Sequence, residues 1–176
     1  FDRDLGMAGR LSMLTPDNAL RTTLFDTGRA VAVIPSLAIH LDREANSQRS
    51  INPQKDVVPL VMLGEHQQYD LKTWLAQELA RADSQWQGAR VMDYELSLYD
   101  TQPPNQIGID GDFIASARLD NLLSCFAGMR ALIDADDAEW SLFVATDHEE
   151  VGSASTVGAQ GPMLMDALAA LAPDPK

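Results

Sequence analysis

The segment Ser141-Leu142-Phe143-Val144-Ala145-Thr146-Asp147-His148-Glu149-Glu150-Val151-Gly152-Ser153 decides how this chain reads. Residues 141–146 are almost wholly apolar, as a strand buried on both faces of a parallel sheet must be. Four ionisable residues follow at once, and then a run of small ones. Ligand sites of open α/β sheets collect at the carboxyl ends of the strands, so this junction is the first place to look for chemistry. A solvated acidic turn is the plainer alternative for the same residues.

Downstream, Pro162 suits the first turn of a helix over residues 162–172. The intervening Gly152, Gly158 and Gly161 lack the lysine and spacing of a phosphate-cradling loop. Upstream, Phe113-Ile114-Ala115-Ser116-Ala117-Arg118-Leu119-Asp120-Asn121 leads into a helix over residues 120–134. Asp120 or Asn121 there reads as a helix cap, its side-chain oxygen accepting from a free amide of the first turn. The alternative is that Asp120 and the Glu149–Glu150 pair converge on one rim as ligands for a hard ion or zinc. The chain has no zincin helix pair, Cys-rich zinc motif or nucleophile elbow. Its single cysteine, Cys125, sits in an apolar helical pattern and reads as core packing, with no internal disulfide and a reducing compartment implied.

The first half reads differently. Thr15-Pro16-Asp17-Asn18 is a turn signal between apolar-rich runs, so residues 8–26 form a hairpin. Within residues 31–43, Leu37, Ile39 and Leu41 alternate with Ser36, Ala38, His40 and Asp42, which predicts a strand with His40 on the face away from the apolar side. Residues 57–63 read as another short strand. Leu71, Trp74, Leu75 and Leu79 recur at helical spacing and predict a helix over residues 69–82. Residues 92–99 alternate again as a strand, ended by Thr101-Gln102-Pro103-Pro104-Asn105. The pattern breaks between Gly64 and Tyr69 and between Ser84 and Gly88 without turn chemistry. The domain boundary is placed at the Thr101–Asn105 turn, after residue 104, with a β-rich domain over residues 1–104 and an α/β domain over residues 105–176.

The 176 residues hold 26 Asp plus Glu against 13 Lys plus Arg, a net charge of -13. That sign opposes non-specific binding to nucleic acid or to an anionic membrane. No apolar stretch is long enough to span a bilayer and no basic leader precedes one, so the expected compartment is the cytoplasm. The chain opens at Phe1 without a methionine, which suggests a piece of a longer protein.

Taken together, these segments resemble the aspartyl aminopeptidase family, cocatalytic two-metal exopeptidases. The resemblance runs through Asp2-Arg3-Asp4-Leu5 with Ala8-Gly9-Arg10, Ile34-Pro35 with Leu37-Ala38-Ile39-His40-Leu41, and Glu95-Leu96-Ser97-Leu98-Tyr99-Asp100-Thr101-Gln102-Pro103. It continues in Ala117-Arg118-Leu119-Asp120-Asn121-Leu122 and in Asp147-His148-Glu149-Glu150-Val151-Gly152-Ser153. His148 stands where the family usually has Asn. The implied fold is α/β: part of an α/β/α zinc-peptidase catalytic domain with an inserted, mostly β dimerisation domain.

The resemblance implies roles for four positions. Asp120 is the carboxylate bridging two divalent metal ions, Glu149 the general base and Glu150 a ligand of one metal. His40 is implied to reach a neighbouring subunit's site and contact substrate, with metal ligation as its rival role and an ordinary surface histidine as the plain one. Zinc is the implied metal, and cobalt or manganese suits the same ligand types. Further ligands are expected outside residues 1–176, so the isolated chain is expected to bind metal weakly and turn over nothing. Peptides with N-terminal Asp or Glu are the implied substrates, and a tetrahedral dodecamer of dimers the implied assembly. The alternatives are an aminopeptidase of broader specificity, a different metallohydrolase acting on amides, and a non-catalytic oligomerisation or binding scaffold.

Overall fold

The computed structural model describes residues 1–64, 69–136, 138 and 140–171. The pattern break read between Gly64 and Tyr69 and the last residue of the helix read to residue 172 fall partly or wholly outside the described residues. Two compact units are present, Phe1–Ala117 and Arg118–Lys176, so the division falls thirteen residues beyond the boundary placed after residue 104. A short hairpin accounts for the difference: β4 (Asn105–Ile107) and β5 (Phe113–Ala115) pair antiparallel and belong to the first unit.

The first unit is built on a three-stranded antiparallel sheet in the order β2-β1-β3, from β1 (Leu5–Leu14), β2 (Leu20–Asp26) and β3 (Arg90–Asp100). The hairpin read from Pro16 is present: the Asn18 amide bonds the Thr15 carbonyl at 2.9 Å, and β1 and β2 pair from Leu14–Leu20 to Ala8–Asp26. Between β1 and β3 the register steps from Ser12–Asp93 to Met13–Val91, leaving Met92 bulged. Period-two geometry puts Met7, Leu11 and Met13 on one face, and all three are buried.

The helix read over residues 69–82 covers that face as α2 (Leu71–Ala82), after a one-turn α1 (Pro53–Asp56). Asp70 caps it by accepting from the Lys72 amide at 3.1 Å, and Leu75 and Leu79 point inward. They meet Phe25, Trp86, Ala89 and Val91 in the core, with Trp74 edge-on to Phe25 at 6.2 Å between ring centroids.

Two strands expected in this unit are not strands. Residues 37–42 form a turn, in which the Leu41 and Asp42 amides both bond the Ala38 carbonyl, and Leu37, Ile39 and Leu41 are exposed. The run pairs only before Pro35, through isolated bridges from Ala32 to Leu5 and from Val33 to Leu60. The Val33–Leu60 bridge is likewise all that residues 57–63 contribute. Alternation alone does not make a strand, because a ladder needs a partner for its amides and carbonyls.

The second unit holds α3 (Leu119–Asp134) and α4 (Met163–Leu171). Pro162 precedes α4, and its carbonyl accepts from the Asp166 amide at 2.9 Å. Residues 141–147 are not in a ladder, although the sequence reads 141–146 as a buried strand; among the described residues no segment pairs with them as a strand would. Phe143 instead lies against α3 at Gly128, where a Cβ would collide with its ring. The apolar faces in this unit remain open: Leu123, Phe126, Ile133 and Trp140 are all exposed. Among the described residues no helix is long and apolar enough to cross a membrane.

Candidate metal and catalytic site

Glu149 and Glu150 lie on a single 3-10 turn, Glu149–Val151, directly after the 141–147 segment. Left-handed backbone brackets the turn: His148 before it at φ 61° and Gly152 after it at φ 99°. The Gly152 amide bonds the Glu149 carbonyl at 3.0 Å and the Ser153 amide bonds the His148 carbonyl at 2.8 Å, so the main chain closes on itself. The small residues downstream allow the next loop to fold back tightly. A Cβ on Gly158 would overlap the Ser153 carbonyl oxygen, and one on Gly161 the Ser155 carbonyl oxygen.

Side chains complete the turn. The His148 amide donates to Asp147 Oδ1 at 2.7 Å, and its Nδ1 lies 2.6 Å from Ser155 Oγ. The Asp147 amide in turn bonds the Val157 carbonyl at 3.1 Å. Glu149 and Glu150 are exposed, and among the described residues no hydrogen bond or ion pair engages either carboxylate.

Asp120 sits at the start of α3, in the same unit. Its backbone is extended rather than helical, at φ -87° and ψ 113°, and the Asp120–Asn121 peptide is cis. The capping reading is not met: α3 opens at Arg118, left-handed at φ 61°, and is kinked at Asp120 and Asn121, and among the described residues neither of their side chains bonds a first-turn amide. The Asp120 carboxylate is therefore not spent on the first turn, and it is exposed.

Open carboxylate oxygens are the donors that zinc and harder divalent ions take, so the chemistry of Asp120 and Glu150 fits such an ion. Among the described residues no three His, Cys, Asp or Glu gather into a group that could hold a metal, so a full coordination sphere is not assembled there. His40 belongs to the other unit, exposed within the 38–42 turn. Cys125 is partly exposed and unbonded. Sequence reasoning missed Ser155 and the left-handed Arg118 and His148, because hydrophobic periodicity carries no signal for a single residue's φ.

Residues 1–173 match the model of the family described as aminopeptidase I zinc metalloprotease (M18). A probable M18 family aminopeptidase 2 of Pseudomonas entomophila is 49% identical over 175 residues, which is 99% of this chain and 40% of that protein. The corresponding protein of Stutzerimonas stutzeri matches equally, at 49% over 99% of the chain and 40% of its own length. The chain thus spans about 40% of the length of these curated relatives. Among solved structures, a chain in the cryo-EM structure of the Ape4 and Nbr1 complex superposes with a TM-score of 0.77 at 32% identity, over 97% of this chain and 37% of that one. The crystal structure of prApe1 gives 0.76 at 27%, over 99% and 42%.

Proposed function

Because the chain belongs to the aminopeptidase I zinc metalloprotease (M18) family, we propose that the protein removes N-terminal residues from peptides, with Asp and Glu preferred, as a cytoplasmic homo-oligomer. The observation that supports this best is the Glu149–Glu150 pair: two carboxylates side by side on one short turn, neither bonded among the described residues.

In this reading Glu149 is the general base. Its carboxylate takes a proton from the attacking water and returns it to the leaving amine, so that one residue serves both half-reactions. Asp120 and Glu150 would hold the divalent metal, Asp120 as the carboxylate shared by two ions and Glu150 as a ligand of one. Zinc is the metal in the family's description, and cobalt or manganese suits the same oxygen donors. When bound, such ions polarise the scissile carbonyl and lower the pKa of water. Among the described residues the Asp120 carboxylate makes no hydrogen bond to the first turn of the helix, which leaves its oxygens open to a metal.

His40 contacts substrate from a neighbouring subunit, with metal ligation as its rival role. Residues 1–104 form the dimerisation domain, residues 105–176 part of the catalytic one, and the assembly is a tetrahedral dodecamer of dimers. An imidazole supplied in this way would meet an acidic N-terminal residue with a donor that the chain's net charge of -13 does not otherwise favour.

The test compares hydrolysis of an aspartyl and a leucyl peptide by the full-length protein, after chelation and metal add-back. Metal-dependent turnover that is faster on the aspartyl peptide is expected. A preference for leucine would remove the acidic specificity. No turnover of either would contradict the enzymatic reading and leave a scaffold.

A further inference from the structure

We infer that His148 and Ser155 form a positioning pair that sets the orientation of the Glu149–Glu150 turn, an inference that rests on the reading of Glu149 as general base. His148 is the residue from which the turn departs. Its left-handed backbone, φ 61° and ψ 29°, is a conformation that side chains with a Cβ adopt at some cost, so something must hold it there.

Main-chain bonds close the turn and join its two flanks to the loop beyond Ser153, from the Asp147 amide to the Val157 carbonyl and from the Gln160 amide to the Ser153 carbonyl, both at 3.1 Å. Among the described residues two side-chain bonds reach the turn's own end residues, His148 and Gly152. One runs from Gln160 Nε2 to the Gly152 carbonyl at 3.3 Å, at the far end of the turn. The other is the contact of 2.6 Å between His148 Nδ1 and Ser155 Oγ, on the residue next to Glu149. Asp147 Oδ2 lies 3.8 Å from His148 Nε2, beyond hydrogen-bond reach, so among the described residues the contact of Nδ1 with Ser155 Oγ is the hydrogen bond that holds the ring.

The loop carrying Ser155 is itself held. Its carbonyl accepts from the Gly158 amide at 3.1 Å, and the Gln160 amide bonds the Ser153 carbonyl at 3.1 Å. Ser155 thus anchors the imidazole to a folded-back loop, and the imidazole fixes the peptide that leads into Glu149. Neither residue touches a reacting atom in this account; both act through the placement of Glu149 and Glu150.

The experiment uses the full-length protein and reads kcat and KM on an aspartyl peptide, zinc per subunit, and the melting temperature. Ser155→Ala is expected to lower kcat about tenfold, the effect of one lost orienting hydrogen bond, with KM within about twofold and zinc content and melting temperature unchanged. Ser155→Thr, which keeps the hydroxyl, recovers most of that loss. His148→Ala loses as much, and His148→Asn recovers it in large part, since Asn tolerates the left-handed backbone and offers an acceptor oxygen. Because the two side chains act through one bond, the double alanine variant is no slower than His148→Ala alone.

Wild-type turnover with kcat of Ser155→Ala within about twofold of it would overturn the inference alone, as would losses that multiply in the double variant. A rate loss matched by lower melting and not recovered by Ser155→Thr would also overturn it. Absence of turnover in the wild type would overturn the functional reading, and the pair's role with it.

Discussion

The Tyr99 hydroxyl donates a 2.6 Å hydrogen bond to Asp26 Oδ1, joining the two outer strands of the sheet across β1. The ring passes over Gly6, where a Cβ would collide with it, so the bond depends on a glycine in the middle strand. Asp26 also accepts from the Gly28 amide at 2.8 Å. The hydrogen bond from Tyr99 and then that from Gly28 hold the Asp26 carboxyl below its ordinary value of 3.8, and the bond to Asp26 pushes the Tyr99 phenol above 10.0.

A pH dependence follows with a definite sign. The lowered carboxylate contributes stability that is full above pH 3.8 and is lost as pH falls through the folded value. The raised phenol contributes stability that is full below pH 10.0 and is lost as pH rises through its folded value. Tyr99→Phe should therefore lower the melting temperature between these limits, and the gap from wild type should close on both sides. A gap independent of pH would contradict the assignment.

Packing sets a second expectation. Leu75 is fully buried between α2 and the sheet, whereas Leu24 is 80% exposed on the opposite face. Leu75→Ala should cost about 2–5 kcal/mol, and Leu24→Ala less than about 0.5 kcal/mol, in urea unfolding followed by Trp74 and Trp86 fluorescence.

The loop behind the acidic turn sets a third. Gly158→Ala would drive a methyl into the Ser153 carbonyl, so the loop carrying Ser155 must move. The full-length variant is expected to lose at least about tenfold in kcat, whereas Gly28→Ala, at an open turn in the other unit, should not change it. Comparable losses from the two would contradict a specific role for the loop.

A fourth concerns the chain as it stands. The buried apolar core lies wholly within residues 1–117, and the helices of the second unit carry no buried residue. Residues 1–117 should melt cooperatively by themselves, and residues 118–176 should not. Residues 1–176 should hydrolyse no aminoacyl peptide, because the described residues assemble no complete group of metal donors. Chelator-sensitive turnover by this chain would contradict that.

How far the sequence could be read depended on where each segment's partners lie. The β1–β2 hairpin and α2 were legible because Pro16 and the Leu71–Leu79 spacing act locally. β3 was legible because its alternation meets an adjacent partner in β1. Residues 37–42 alternate just as well, but Pro35 and the turn at Ala38 leave them without a partner strand. Residues 141–146 have the composition of a central strand, yet no described segment pairs with them. At the site, Glu149, Glu150 and Asp120 stood out by residue type and position. Their presentation did not, because the left-handed His148 and the extended Asp120 are single-residue backbone states that no periodicity encodes.

The most direct test of the account is Glu149→Gln in the full-length protein, with kcat on an aspartyl peptide and bound zinc measured on the same sample. The substitution keeps the size of the side chain and removes its capacity to take a proton. A fall in kcat of about a hundredfold or more, with zinc content unchanged, is the expected result. Turnover within about tenfold of the wild type at full zinc occupancy would contradict Glu149 as the general base.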